Sequence, residues 1–277
     1  MLTVDHASWG FTSSTGLSFT EATIVDAHFE ACRPTYLELL DRVGLRRGWR
    51  VLDAGCGSGS FLPRLADLVG PEGEVTGIDL AGENVELAAA RSTVCPLRTD
   101  QGDLRRLPYP DASFDAVWCA NAVQYLDDDD LRRALGEVRR VVRPGGVVAV
   151  KDLDASLVTV RPGDPFLFTD FFRRAGAAPG YAQHLMRARD LYRSLTEAGL
   201  VGVRQQTVLS EHFAPLSPAE WAFYGPSCAT VARLALDMGM PREWELFLSP
   251  GDSRHPLRDP SGYLCEGNVL AVANTPA

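Results

Sequence analysis

Residues 51–66, VLDAGCGSGSFLPRLA, place glycine at three alternate positions, Gly55, Gly57 and Gly59, two residues after an acid, Asp53. So bare a backbone lets a ligand approach the main chain where a side chain would otherwise stand. A nucleotide phosphate fits it badly. A Walker loop ends in Gly-Lys-Ser/Thr and no lysine lies here, while the dinucleotide spacing G-x-G-x-x-G wants a third glycine where this chain has Ser60. Asp53 is also poorly suited to a pyrophosphate; it suits a ligand that brings a cationic amine to a glycine-lined turn. A second acid, Asp79, closes the run EVTGID. For proton transfer the chain offers His28, His184, His212, Asp152 and Asp154 as separate candidates, each as readily a surface, interior or strand-end residue as a base. The run Asp127–Asp130 resembles a metal cluster, but four acids before LRRALGEVRRVV read better as the cap and first turn of a helix. No metal is expected. Six cysteines without a C-x-x-C pair read as free, mostly buried thiols.

The elements that must position these residues alternate. Val51-Leu52 reads as a short strand entering the glycine turn, and Phe61, Leu62, Leu65 and Leu68 fall on one face of a helix that tolerates Pro63 in its first turn. EVTGIDL is a second strand and ENVELAAARS a second helix; PLRTDQGD, FDAVWCA and VVAVKDLD are further strands, with the DDDD helix before the last of them and RPGG as its stop. Repeated strand-helix units build a parallel sheet covered on both faces, with ligands at the carboxyl ends of the strands. Upstream, positions 20–43 are helical by periodicity, interrupted or restarted at Pro34. Downstream, LYRSLTEAGLVGVRQQTVL is a helix ending near Gly199 and a sixth strand, and YLCEGNVLAVAN is a seventh strand. Between them SPAEW opens a helix with a capping box, Ser217 to Glu220. Phe213, Trp221, Phe223, Tyr224, Trp244 and Phe247 make this insertion aromatic, which fits equally a lid packed on its own core and a pocket wall for a flat or apolar substrate.

Composition narrows the partner. The chain has 277 residues, 45% of them hydrophobic, a formal net charge of −9 and Lys151 as its only lysine. That balance disfavours an extended nucleic-acid or anionic-membrane surface and points to a small molecule. With neither an apolar spanning run nor a signal-like start, the expected location is cytoplasmic; a homodimer is left open.

Taken in order, VLDAGCGSGSFLPRLA, VTGIDL, GDLRRLPYPDASFDAVWCANAVQYL and RRVVRPGGVVAVKD resemble the motifs of class I S-adenosylmethionine-dependent methyltransferases, in particular the ubiquinone/menaquinone methyltransferase-like small-molecule group. The likeness covers about residues 45–155. It implies a doubly wound, Rossmann-like α/β fold with a seven-stranded, mostly parallel sheet in the order 3-2-1-4-5-7-6. The expected divisions are a helical N-terminal arm (1–45), a cofactor-binding core (46–155), a substrate lid interleaved with the sixth strand (156–260) and a last core strand (261–277), in one structural domain. The implied cofactor is S-adenosyl-L-methionine. Gly55, Cys56, Gly57 and Gly59 would face its methionine part, Asp53 its ammonium, and Asp79 both ribose hydroxyls. Leu80, Gly102, Asp103 and Leu104 would surround the adenine, with Asp103 accepting from its amino group. Carbonyls of Cys119 and Ala120 would hold the amine, and Arg33 and Tyr36 could line the cofactor mouth, helix packing being the main alternative for Tyr36.

Relatives carry a histidine near the end of NAVQYL; this chain has Gln124, which puts a base there in doubt and suits Gln124 to orienting a substrate. His184 and Asp152 complete the catalytic candidates. The leading reading is direct methyl transfer to a small, aromatic or natural-product acceptor. The alternatives are a cyclase that does not consume the cofactor and a non-catalytic cofactor-binding protein.

Overall fold

A computed structural model describes residues 9–277; residues 1–8 of the expected N-terminal arm lie outside the described residues. The sheet has seven strands in the order β3-β2-β1-β4-β5-β7-β6, as the resemblance implied: β1 (Arg50–Ala54), β2 (Glu74–Asp79), β3 (Leu97–Gln101), β4 (Phe114–Ala120), β5 (Val142–Arg161), β6 (Val201–Phe213) and β7 (Tyr263–Asn274). The four pairings β2–β3, β1–β2, β1–β4 and β4–β5 are parallel, with Asp53 opposite Gly77 on one side and Trp118 on the other. Central strands covered on both faces have no side open to solvent, which is why β1, β2 and β4 are buried along nearly their whole length, Asp53 and Thr76 included. The edge strand β3, LRTDQ, is the polar exception.

The chain divides into two compact units. One comprises residues 34–153, 187–207 and 268–277. It contains β1 to β4, with helices α2 (Leu62–Val69), α3 (Gly82–Ala89), α4 (Asp128–Val141) and α7 (Leu191–Glu197). Its core joins Leu52, Ile78, Val117 and Val150 of the sheet to Leu131, Leu135 and Val138 of α4 and to Leu195 of α7. Burying each such side chain is worth roughly 1.5–3 kcal/mol, so the apolar stripe of α4, more than the propensity of its charged residues, fixes that helix against the sheet. The four aspartates behave as the charge pattern foretold. Asp127 caps α4 by accepting from the Asp130 N–H at 2.8 Å, and Asp128 to Asp130 occupy the first turn while Arg139 and Arg140 end it.

The other unit comprises residues up to Arg33, 154–186 and 208–267. It includes α5 (Leu167–Ala175), α6 (Tyr181–Leu185) and α8 (Pro218–Asp237). Ser217 caps α8 and Glu220 closes the expected box. Its core is aromatic: Phe168 lies edge-on to Trp244 at 4.8 Å and to Phe247 at 5.4 Å, and Phe171 contacts Trp244 and Trp9.

One local expectation is corrected. α1 (Ala22–Asp41) runs through Pro34 without a break. Pro34 and Glu30, whose carbonyl loses its donor, are both exposed, so water can satisfy the missing bond, while Ile24, Phe29, Cys32, Tyr36 and Leu40 are buried at helical spacing. α4 ends at Val141, with Val142 extended, directly before RPGG, and the register slip between Phe114/Val142 and Ala116/Val147 absorbs Arg143–Gly146 at the start of β5.

Candidate cofactor-binding site

The glycine turn is held from below by β2. Gly55 and Cys56 donate their N–H groups to the Ile78 carbonyl at 2.8 and 2.9 Å, and Gly57 donates to Asp79 Oδ2 at 2.8 Å. Asp79 Oδ1 accepts from the Ala81 N–H at 3.0 Å, so this carboxylate ties the turn to the start of α3. Burial raises the Asp79 pKa, opposed by those two backbone bonds and by Asn84. A carboxylate has about four lone-pair sites, so these three donors leave room for one more. Two of the three glycines are required by packing inside the protein. A Cβ at Gly55, whose φ is +79°, would sit 2.4 Å from Ala122 Cβ, and one at Gly59, φ +85°, would sit 2.9 Å from Ala88 Cα.

Above the turn, three buried acceptors lack hydrogen-bond partners: Asp53 Oδ2, Gln124 Oε1 and Asp152 Oδ1. They belong to neighbouring stretches of the sheet's carboxyl side, at the end of β1, just after β4 and within β5. Burial, with Asp79 adding to it, pushes the Asp53 carboxyl up to about 8. Burial pushes Asp152 up to about 7 against the pull of Lys151 and Arg187. Both acids raise the Cys119 thiol, after burial, well above its usual value, so that sulfur is a packed, protonated group and no nucleophile. An unpaired buried acceptor costs free energy, and three at the carboxyl side of adjacent strands suit a ligand that brings donors or positive charge.

The remaining predicted residues are placed as follows. Cys56 is buried and its thiol is likewise held protonated by burial. Leu80 is 46% exposed beside Asp79. Gly102 closes on β2, its N–H donating to the Asp79 carbonyl, and a Cβ there would meet Ile78. Asp103 is clasped by Arg105, whose backbone N–H, Nε and terminal nitrogen all reach it within 3.0 Å and hold its carboxyl below the ordinary range. Leu104 packs on the core near Gly55, and Cys119 and Ala120 end β4 fully enclosed. Tyr36 is buried, stacked on Phe61, with its hydroxyl accepting from Asn121 Nδ2 at 3.3 Å. Arg33 is exposed and pairs with Glu30 at 3.3 Å. His184, half-buried on α6, belongs to the other unit.

Sequence reasoning passed over two participants. Lys151 is fully buried, donates to Asn121 Oδ1 at 2.7 Å and holds its ammonium 3.8 Å from the Tyr36 ring. The signal was available: the sole lysine of an arginine-rich chain directly follows the apolar run VVAV. Arg187 is the other. It donates to the Val123 and Leu126 carbonyls and pairs with Asp128 at 2.6 Å, fixing the segment that carries Gln124.

Residues 51–146 match the family described as methyltransferase domain. A 37.1 kDa protein of transposon TN4556 from Streptomyces fradiae is 37% identical over 132 residues, 47% of this chain and 38% of its own. The demethylmenaquinone methyltransferase of Deinococcus radiodurans is 37% identical over 141 residues, 44% of this chain and 57% of that protein. The chain carries a class I S-adenosylmethionine-dependent methyltransferase domain. Those matches span about half the length of the curated relatives. A S-adenosylmethionine-dependent methyltransferase of Methanosarcina mazei superposes with a TM-score of 0.53 at 17% identity, covering 86% of this chain and 97% of that one, which is a likeness of fold.

The residues of this methyltransferase domain fit S-adenosylmethionine. Its ammonium and sulfonium would bring positive charge to the unpartnered oxygen of Asp53, and Asp79 would have room to accept from a hydroxyl. Among the described residues, no helix is long and apolar enough to cross a membrane.

Proposed function

We propose that the chain methylates a small-molecule acceptor by direct displacement, using S-adenosylmethionine. The bound cofactor supplies an electrophilic sulfonium methyl; the protein's work is alignment, with the reacting atoms about 3–3.5 Å apart, and exclusion of water. In this reading Asp53 anchors the ammonium, Asp79 the ribose, and Asp103 the adenine amine once Arg105 shares it. Gln124 orients the acceptor. Asp152, whose carboxyl titrates at about 7, takes the acceptor's proton, since a base is most effective near the working pH. Lys151 holds Asn121 beside it.

The observation that carries the reading is the trio of unpartnered buried acceptors beside the glycine turn. A small acceptor accords with the net charge of −9. An aromatic acceptor draws support from the name of the Deinococcus radiodurans relative, whose own acceptor is a demethylmenaquinone. The insertion's aromatics lend less, because Trp244 and Phe247 are enclosed in the core of their own unit.

The test is incubation with methyl-labelled S-adenosylmethionine and a panel of phenols, naphthoquinols and amines. Labelled product with one equivalent of S-adenosylhomocysteine is the expected result. Turnover that leaves the cofactor intact would replace the reading by a cyclase, and binding without turnover by a non-catalytic role. Asp152→Asn should lower kcat by about 100-fold or more while leaving S-adenosylhomocysteine affinity within about threefold.

A further inference from the structure

In the unit that contains α8, His28, Cys32 and Glu266 bring a nitrogen, a sulfur and a carboxylate within 4.8 Å of one another. His28 and Cys32 stand four residues apart on one face of α1, the spacing that stacks two side chains one turn apart. Glu266 faces them from β7. His28 Nε2 lies 3.1 Å from both Glu266 oxygens, and Cys32 Sγ donates to Oε1 at 3.3 Å. Cys32 and Glu266 are 1% and 3% exposed, so the carboxylate is a nearly dry charge. The cysteine is therefore one member of a mixed donor set.

We infer that His28, Cys32 and Glu266 form a binding site for a borderline-soft divalent transition metal ion, of which Zn²⁺ is the type. The site is independent of the methyl-transfer reading. Three arguments support it. First, the donor set, one imidazole, one thiolate and one carboxylate, is what zinc takes, and it is unlike the all-oxygen shells of Mg²⁺ or Ca²⁺. Second, the spacing is close to what the ion needs. Bond lengths of about 2.0 Å to nitrogen or oxygen and about 2.3 Å to sulfur, at tetrahedral angles, put neighbouring ligand atoms roughly 3.3–3.6 Å apart. The nitrogen–oxygen and sulfur–oxygen pairs therefore have to open by only a few tenths of an ångström, and the nitrogen–sulfur pair lies within 4.8 Å. Third, the ligands are oriented by outer partners, as metal ligands commonly are. The His28 ring is stacked flat on Phe223 at 3.9 Å. Tyr224 Oη lies 3.2 Å from Cys32 Sγ and 2.9 Å from His212 Nε2, while His212 Nδ1 lies 2.7 Å from Glu220. That chain fixes the Tyr224 hydroxyl against the sulfur, and three protein ligands leave a fourth position for water or another oxygen donor.

The charge balance agrees. Cys32 as thiolate and Glu266 as carboxylate carry two negative charges, which one divalent ion neutralises with His28 neutral. In the metal-free protein the Cys32 thiol donates to Glu266, so binding exchanges that thiol proton for the ion.

The full chain, stripped with dipicolinate and titrated with Co²⁺, tests this through the thiolate-to-cobalt absorption band, with Zn²⁺ stoichiometry read by elemental mass spectrometry. About one equivalent of either ion is expected. Cys32→Ser should abolish the band, and His28→Ala should weaken affinity at least about tenfold. His184→Ala should change neither. Absence of the band and of stoichiometric zinc in the wild-type chain would overturn the proposal without any variant. A band that persists in Cys32→Ser would overturn it too, by moving the metal to another of the cysteines. If Cys32→Ser fails to fold, Glu266→Gln reads the same site, and unchanged affinity there counts against it.

Discussion

Asp53 gives the cofactor-site reading its sharpest consequence. With its carboxyl pushed up to about 8, the free protein near pH 7 presents a protonated, neutral acid to the incoming ammonium. Binding through an ion pair needs Asp53 ionised, and the ammonium of a free amino acid, stabilised by its own carboxylate, stays protonated up to about pH 8. Between pH 6 and 8 the affinity then follows the ionised fraction of Asp53, which rises about 50-fold, from about 1% to about half. In free energy the difference is about 2.3 kcal/mol. S-adenosylhomocysteine is the right probe, because it keeps the amino acid end and removes turnover; calorimetry at pH 6, 7, 8 and 9 gives the profile. Asp53→Asn cannot ionise, so its affinity should be weaker at pH 8 and nearly flat between pH 6 and 7. A wild-type dissociation constant equal at pH 6 and 8 would refute the reasoning. So would an acid limb that survives in Asp53→Asn, since Asp152 or Asp79 would then be the group that titrates.

The same pKa acts on stability. A carboxyl raised from 3.8 to about 8 on folding binds its proton more tightly in the native state, so its stabilising contribution is full below about pH 4 and is lost as pH rises to about 8. Asp53→Asn should therefore melt progressively higher than wild type as scans move from pH 5 to pH 8.5, and a constant gap would count against it. Asp79→Ala should weaken S-adenosylhomocysteine binding more than tenfold by removing charge-assisted bonds, and should also cost about 1–3 kcal/mol of stability in urea, because the Gly57 and Ala81 N–H groups lose their acceptor. Gly59→Ala, which forces a Cβ against Ala88 at a positive φ, should destabilise by about 1–3 kcal/mol. Ser217→Ala should lower the urea midpoint by an amount equivalent to about 1 kcal/mol, with unchanged slope, through loss of the α8 cap.

Much of the fold was legible because its signals are local. Alternation of apolar runs with amphipathic segments marks the strands and α2, α3, α4, α7 and α8, though not α5 or α6, and Asp127 and Ser217 announce their helices through a short side chain next to orphan N–H groups. What escaped depends on contacts between distant residues. Pro34 looks like a breaker until one sees that its side of α1 is wet. The pairing of Lys151 with Asn121 and Tyr36 spans three elements, and no spacing rule connects them. At the site, Asp53 and Asp79 were both legible as ligand groups, Asp53 for an ammonium and Asp79 for ribose hydroxyls. The structure adds a difference: Asp79 already ties the turn to α3 with its two oxygens, whereas Asp53 has one with no partner.

That difference says how the domain can be both folded and receptive. The turn is completed by the protein's own groups, with Ile78 and Asp79 accepting from consecutive N–H groups, so its shape does not wait for a ligand. The electrostatic deficit is instead concentrated on groups just beyond it. Lys151, the nearest buried cation in sequence to Asp152, is turned toward Asn121 and the Tyr36 ring; it lowers the Asp152 pKa without lending a hydrogen bond to the unpartnered oxygen. Had that ammonium bonded the orphaned acceptors, the pocket would be internally neutral and a cationic ligand would have to displace it. A preformed turn with unmet acceptors reverses the balance: the desolvation cost is borne by the empty protein, and a ligand carrying positive charge recovers it on binding.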